Sequence, residues 1–135
     1  MSAPEAFFDT SILLYLLSDD TAKADRAEHL LAGGGAISVQ VLNEFAAVAI
    51  RKLRMPIVDV REVLETVKAV CHVVPVDLET HERGLAIAER YRLSFYDSLI
   101  AASALQLGTK MLYSEDLQHG QVLDRTLKIV NPFIK

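Results

Sequence analysis

Residues 6–17 read Ala6-Phe7-Phe8-Asp9-Thr10-Ser11-Ile12-Leu13-Leu14-Tyr15-Leu16-Leu17. Ala6-Phe7-Phe8 is a short apolar run of strand type. It ends at the polar triplet Asp9-Thr10-Ser11, and an apolar stretch over residues 12–17 follows. The same alternation recurs along the chain. Ser18-Asp19-Asp20-Thr21 is a polar cluster suited to cap a helix over residues 22–31. Gly33-Gly34-Gly35 ends that helix, because glycine tolerates the left-handed conformation of a C-terminal cap. Ala36-Ile37-Ser38 reads as a strand, and Ser38 can cap a helix over residues 39–52. Met55-Pro56 breaks it, since proline disfavours helical geometry in the residue before it. Val60, Val63, Leu64, Val67 and Val70, at spacings of three and four, predict a helix over residues 58–70. His72-Val73-Val74-Pro75-Val76 is β-like, and Asp77 can cap a helix over residues 78–91. Residues 96–107 form an Ala-rich helical pattern ended by Gly108, and residues 110–113 and 127–130 read as closing strands. Strands alternating with helices imply a parallel sheet covered on both faces. The expected fold is α/β, a three-layer α/β/α sandwich, as a single domain over residues 1–135.

Composition bounds the function. At 135 residues, folding buries roughly two thirds of the chain's surface, so a core is available without disulfides or a structural metal. The sequence is 51% hydrophobic with 4 Pro and 6 Gly, and a mean hydropathy of +0.24 argues against extended disorder. Its apolar runs fall short of the ~20 residues that span a bilayer. Glu5 and Asp9 stand where a secretory leader is apolar. The lone Cys71 excludes an internal disulfide and Cys-rich zinc sites, and points to the cytoplasm. The net charge of −4, from 14 basic and 18 acidic residues, is a poor footprint for gripping nucleic acid by electrostatics alone. It leaves room for a nucleic-acid enzyme whose acids are neutralised by divalent ions.

Ligands of open α/β sheets bind outside the carboxyl ends of the strands. Asp9, Asp97 and Asp116 fall at or just after such ends or at a helix start. Glu44 lies in a nearly uncharged stretch, Asn43-Glu44-Phe45-Ala46-Ala47, of a helix that begins at a strand end. Converging carboxylates repel one another, so they persist only with cations between them. Hard oxygen ligands suit Mg²⁺ or Mn²⁺, and two such ions ~4 Å apart activate water in phosphodiester hydrolysis. Each acid also has a plainer reading. Asp9 and Asp97 suit helix N-caps, Glu44 a solvated helix face, and Asp116 a turn.

Four segments together resemble the PIN-domain nucleases, specifically the VapC-type toxins of toxin–antitoxin pairs. They are Phe8-Asp9-Thr10-Ser11, Val41-Leu42-Asn43-Glu44, Tyr96-Asp97-Ser98-Leu99-Ile100-Ala101-Ala102-Ser103-Ala104 and Leu112-Tyr113-Ser114-Glu115-Asp116-Leu117. Each is short, but all four occur in order along the chain. The resemblance implies a Mg²⁺ or Mn²⁺ site made by Asp9, Glu44, Asp97 and Asp116. Ser11 and Ser114 match the family's hydroxyl positions and would orient carboxylates or water. Glu115 stands beside Asp116 as a possible substitute. The implied activity is an endoribonuclease cutting single-stranded or looped RNA by metal-activated water. The implied partners are an antitoxin and a second copy of the chain, with residues 12–17 and 42–50 contributing apolar surface. Alternatives are a PIN nuclease of RNA processing without an antitoxin, and an inactive PIN-like binding module.

Arg51, Lys52 and Arg54 suit a helix C-terminus, although they could also guide phosphates. Arg83, Arg90 and Arg92 read in the same way. His29, His72, His81 and His119 hold no zinc spacing, and His119 could approach Asp116. Cys71 reads as a buried thiol. Aromatics make up 7% of the chain and Trp is absent, so no RNA-stacking platform is evident.

Overall fold

The computed structural model describes residues 3–134. Six strands form one sheet in the order β3-β2-β1-β4-β6-β5. They are β1 (Ala6–Phe8), β2 (Gly35–Ser38), β3 (Cys71–Val74), β4 (Met111–Tyr113), β5 (Val122–Leu123) and β6 (Leu127–Val130). Every pairing is parallel except that of β5 with β6. Helices α1 (Thr10–Leu14), α2 (Thr21–Ala32), α3 (Val39–Arg51), α4 (Ile57–Val70), α5 (Leu78–Tyr91) and α6 (Phe95–Leu107) flank the sheet. This is the α/β/α arrangement expected from the alternation. Among the described residues no helix is long and apolar enough to cross a membrane.

The strand order places the site. From β1 the chain builds outward through β2 and β3, then returns to add β4, β6 and β5 on the other side. The order therefore reverses between β1 and β4, which pair as Phe7 with Leu112 and Phe8 with Tyr113. Crevices at such a switch point are where α/β sheets bind ligands. The chain leaving β1 enters at once on Asp9, and the chain leaving β4 on Ser114, Glu115 and Asp116.

The core is built from the strand interiors and the helix faces over them. Phe7, Ile37, Leu112 and Ile129 are fully enclosed, as are Ile12, Leu13 and Phe45 from the helices. Helix α6 is buried on every side over Ser98 to Ala104, so its run of Ala and Ser is a packing requirement. Small side chains let its neighbours approach closely, and a Cβ on Gly84 of α5 would stand 2.8 Å from Leu99 Cδ2. A helix clamped in this way carries Asp97, in its first turn, as a fixed group.

Several boundaries differ from the sequence reading, each for a local reason. Helix α2 begins at Thr21 with Asp20 as its N-cap. Gly33 after it is right-handed, and the left-handed residue is Gly34 at φ +83°. Strand β3 starts at Cys71 and ends before Pro75, which cannot donate to a ladder. Helix α6 begins at Phe95, capped by Ser94, whose hydroxyl accepts from Asp97 N at 3.2 Å. Asp97 is thus inside the helix, and the plainer reading of it as the N-cap does not hold. Strand β5 has two residues, too few for a legible pattern. Of residues 12–17, Ile12 and Leu13 face the core, residues 14–17 are half-buried, and residues 15–17 wind into a 3-10 turn. Ile50 is exposed, together with Leu53, Ile57 and Val58 at the corner between α3 and α4.

Gly35 is required by close approach. A Cβ there would lie 2.5 Å from Phe8 Cε2 and 2.9 Å from the Ala6 carbonyl oxygen. Gly35→Ala is expected to destabilise by about 1–3 kcal/mol through overpacking. Urea denaturation should show a lower midpoint at unchanged slope.

Candidate active site

Asp9 is the N-cap of α1, and it accepts the Ser11 amide at 2.7 Å on Oδ1. The Ser11 hydroxyl donates to the same oxygen, and the Ser114 hydroxyl donates to Oδ2. Asp9 N donates to the Tyr113 carbonyl at 3.0 Å, extending the β1–β4 ladder by one residue. The side chain is almost fully buried. Burial pushes its carboxyl up to about 6, against the lowering by the two hydroxyls, and the charge of Asp116 adds to the rise. Ser114 Oγ accepts from Asp116 N at 3.1 Å and Leu117 N at 3.2 Å. Ser11 Oγ accepts from Glu115 N at 3.1 Å. Two serines therefore tie the loop after β4 to the end of β1.

Glu44 comes from α3, which starts at the carboxyl end of β2 under the Ser38 cap. Its carboxylate accepts from the Thr10 hydroxyl at 3.3 Å. Partial burial raises its pKa first, and the charges of Asp97 and Asp116 raise it further. Asp116 is raised by desolvation, then by Asp97 and by Glu115. Asp116 thus lies within electrostatic reach of Asp9, Glu44 and Asp97, and Glu44 also within reach of Asp97, although the four acids leave four different elements. Among the described residues no three His, Cys, Asp or Glu side chains converge tightly enough to enclose an ion as placed. Chemically, four carboxylates suit a hard divalent cation. Asp9, with both oxygens already oriented by hydroxyls, has the outer support typical of a metal-ligating carboxylate.

The sequence matches the PIN domain family over residues 6–122, most of its length. The chain belongs to the PIN domain family. No curated protein sequence matches this PIN chain significantly. Among solved structures it is similar to a toxin–antitoxin complex from Klebsiella pneumoniae. That match has 21% identity and TM-score 0.70, covering 95% of this chain and 98% of that one. It is also similar to the VapC20 toxin of Mycobacterium tuberculosis, a sarcin–ricin loop cleaving toxin, at 21% identity and TM-score 0.62, covering 82% and 91%. A third neighbour is VapBC2 of Rickettsia felis bound to a promoter DNA fragment, at 17% identity and TM-score 0.66, covering 93% and 98%. At such identities the likeness is one of fold.

Within the PIN chain, Glu115 is committed elsewhere. The Tyr15 hydroxyl donates to its Oε1, and Lys23 Nζ stands 2.9 Å from Oε2. Desolvation would raise its pKa, but these two partners hold it below the usual carboxylate range. His119 accepts the Asn131 amide on Nδ1 at 3.0 Å, a structural bond at the surface. Arg51, Lys52 and Arg54 are exposed at the end of α3. Arg90 stands 3.4 Å from Asp124. Cys71 is buried, which pushes its thiol up to about 11. Thr10 and the Tyr15–Lys23 pair are contacts of these acids that sequence reasoning missed. Thr10 carried a signal, since it sits between Asp9 and Ser11.

Because the folded pKa of Asp9 lies above its ordinary value, ionising it costs folding stability. That cost is absent below about pH 4 and complete above about pH 6. Asp9→Asn without metal is expected to be more stable than the wild type near neutral pH. The gain is on the order of 3 kcal/mol at most, at about 1.4 kcal/mol per pKa unit. Thermal melts across pH should show the difference shrinking towards about pH 4.

Proposed function

We propose that this PIN chain is a divalent-metal-dependent endoribonuclease and the toxin of a toxin–antitoxin pair. The observation that carries the reading is the electrostatic coupling of Asp116 to Asp9, Glu44 and Asp97 at the strand-order switch point. Such a cluster is unfavourable without cations, and it persists here in a fold shared with toxins of this class. On this reading the four acids hold Mg²⁺ or Mn²⁺. The bound ion would supply Lewis acidity, lowering the pKa of water and neutralising charge at the scissile phosphate.

The chain's own residues set the geometry. Ser11 and Ser114 lock the Asp9 carboxylate, and Ser114 at the same time fixes the backbone of Asp116. Thr10 restrains Glu44. Asp97 sits in the first turn of α6, on a helix whose following residues are buried. Asp116 is the exposed member of the four. The substrate class is RNA, which a chain of net charge −4 would bind chiefly through the ions. The exposed Ile50, Leu53, Ile57 and Val58 support a protein interface, with an antitoxin or a second copy as the occupant. The Klebsiella pneumoniae neighbour is itself a toxin–antitoxin complex.

The test is cleavage of single-stranded and hairpin RNAs by the purified protein, with Mn²⁺ and with a chelator. Cleavage is expected only with metal. Asp97→Asn should lose about 100-fold or more at unchanged circular dichroism. Ser114→Ala, which removes the hydroxyl's bonds to Asp9 and to the amides of Asp116 and Leu117, should lose about 10–100-fold. Full activity in Asp97→Asn, or in chelator, would overturn the reading.

A further inference from the structure

Glu115 and Asp116 are adjacent acids in the loop that follows β4. Serines pin the backbone of both, since Glu115 N donates to Ser11 Oγ at 3.1 Å and Asp116 N to Ser114 Oγ at 3.1 Å. Their side chains then part. The Tyr15 hydroxyl donates to Glu115 Oε1, and Lys23 Nζ donates to Oε2 at 2.9 Å and to the Tyr15 oxygen at 3.1 Å. The three bonds close a ring. Aromatic packing braces it, with Tyr15 on Phe133 at 4.6 Å between ring centres. The Lys23 ammonium lies 4.9 Å from the centre of the Tyr15 ring and 5.5 Å from that of Phe133. These residues come from the 3-10 turn, from α2, from the loop after β4 and from the segment after β6. Tertiary structure, and not the local chain, therefore decides where Glu115 points.

The Lys23 and Glu115 side chains remain 36% and 29% exposed, and an ion pair so open to water adds little to stability. Its larger consequences are electrostatic and geometric. The charge of Glu115 reaches Asp116 and opposes its ionisation. The Lys23 ammonium, held against Glu115, offsets much of that charge at longer range. Glu115 also has room to turn. A cavity of about 300 Å³ is lined in part by Tyr15, Glu115 and Asp116. A glutamate released by Tyr15 and Lys23 can swing through that space towards Asp116 without displacing packed side chains.

We propose that Tyr15 and Lys23 are positioning residues that hold Glu115 out of the carboxylate centre, so that only Asp116 of the adjacent pair faces the cation. The inference rests on the metal-dependent reading and deepens it. The test measures Mn²⁺ affinity and, by water-proton relaxation, how much water remains on the bound ion. RNA cleavage is followed separately. Lys23→Met keeps an apolar stem over the aromatic rings and removes the charge. It is expected to tighten Mn²⁺ binding about tenfold and to lower the relaxation, because Glu115 takes the place of water. In a Glu115→Gln background the same substitution should change affinity by about twofold or less, since the two residues act as a coupled pair. Tyr15→Phe alters no charge and should also tighten binding, again only where Glu115 is present. Lys23→Arg should keep the wild-type affinity and relaxation. If Lys23→Met does not fold, the comparison made with Tyr15→Phe decides. Equal tightening with and without Glu115 means that the ammonium acts through its field alone, which overturns the positioning role and leaves the cation centre standing. Unchanged or weaker Mn²⁺ binding in Lys23→Met and Tyr15→Phe overturns it in the same way. A wild type that binds no Mn²⁺ overturns the cation centre itself, and this inference with it.

Discussion

The buried carboxylate of Asp9 is grasped by two serine hydroxyls, one from the helix that follows β1 and one from the loop that follows β4. That pair of bonds joins the ends of the two strands between which the sheet reverses its order. The serines also accept backbone amides of Glu115, Asp116 and Leu117, so the loop bearing Asp116 takes its shape from Asp9. Burying a carboxyl group is costly unless its lone pairs are satisfied. Here the satisfaction comes from residues that also build the rest of the site. Glu44 is drawn in through Thr10, the neighbour of Asp9. Asp97 arrives on a helix whose Ala and Ser side chains let residues 98–104 sit inside the fold.

This arrangement carries electrostatic strain. Burial and mutual repulsion raise Asp9, Glu44 and Asp116 together. The strain is local, because Glu115 is diverted into its bonds with Lys23 and Tyr15. A cluster that costs stability alone and gains it on binding a cation is the pattern expected where stability is traded for function. The PIN family membership and the repulsive cluster are independent observations that point the same way.

Much of the fold was legible because its signals are local. β1, β6 and α5 lie where the residues predicted. In α5 the Asp77 cap reads directly from the sequence, and the structure adds the reciprocal half, with the Thr80 side chain accepting from the Asp77 amide. Where two local signals competed, tertiary packing decided. Ser94 and Asp97 are both good caps, and the helix began early enough to use Ser94 and leave the acid unspent. The two-residue β5 exists only because β6 offers an edge. The candidate site was legible as a set of residues, through the strand ends and the family resemblance, but its geometry was not. Nothing near Glu115 and Asp116 in the chain says which one turns to the other acids. That choice belongs to Lys23 and Tyr15, which are distant in sequence and brought there by the sheet.

The central claim is that the four carboxylates form a cation-binding centre. Its most direct test is the melting temperature of the wild type, Asp9→Asn and Asp97→Asn as Mn²⁺ is raised. The account predicts a progressive rise for the wild type, since a ligand bound only by the folded state stabilises by mass action, and a much weaker rise for both variants. Melting temperatures indifferent to Mn²⁺ in the wild type, with both variants less stable than the metal-free wild type, would contradict it and reduce the acids to structural groups.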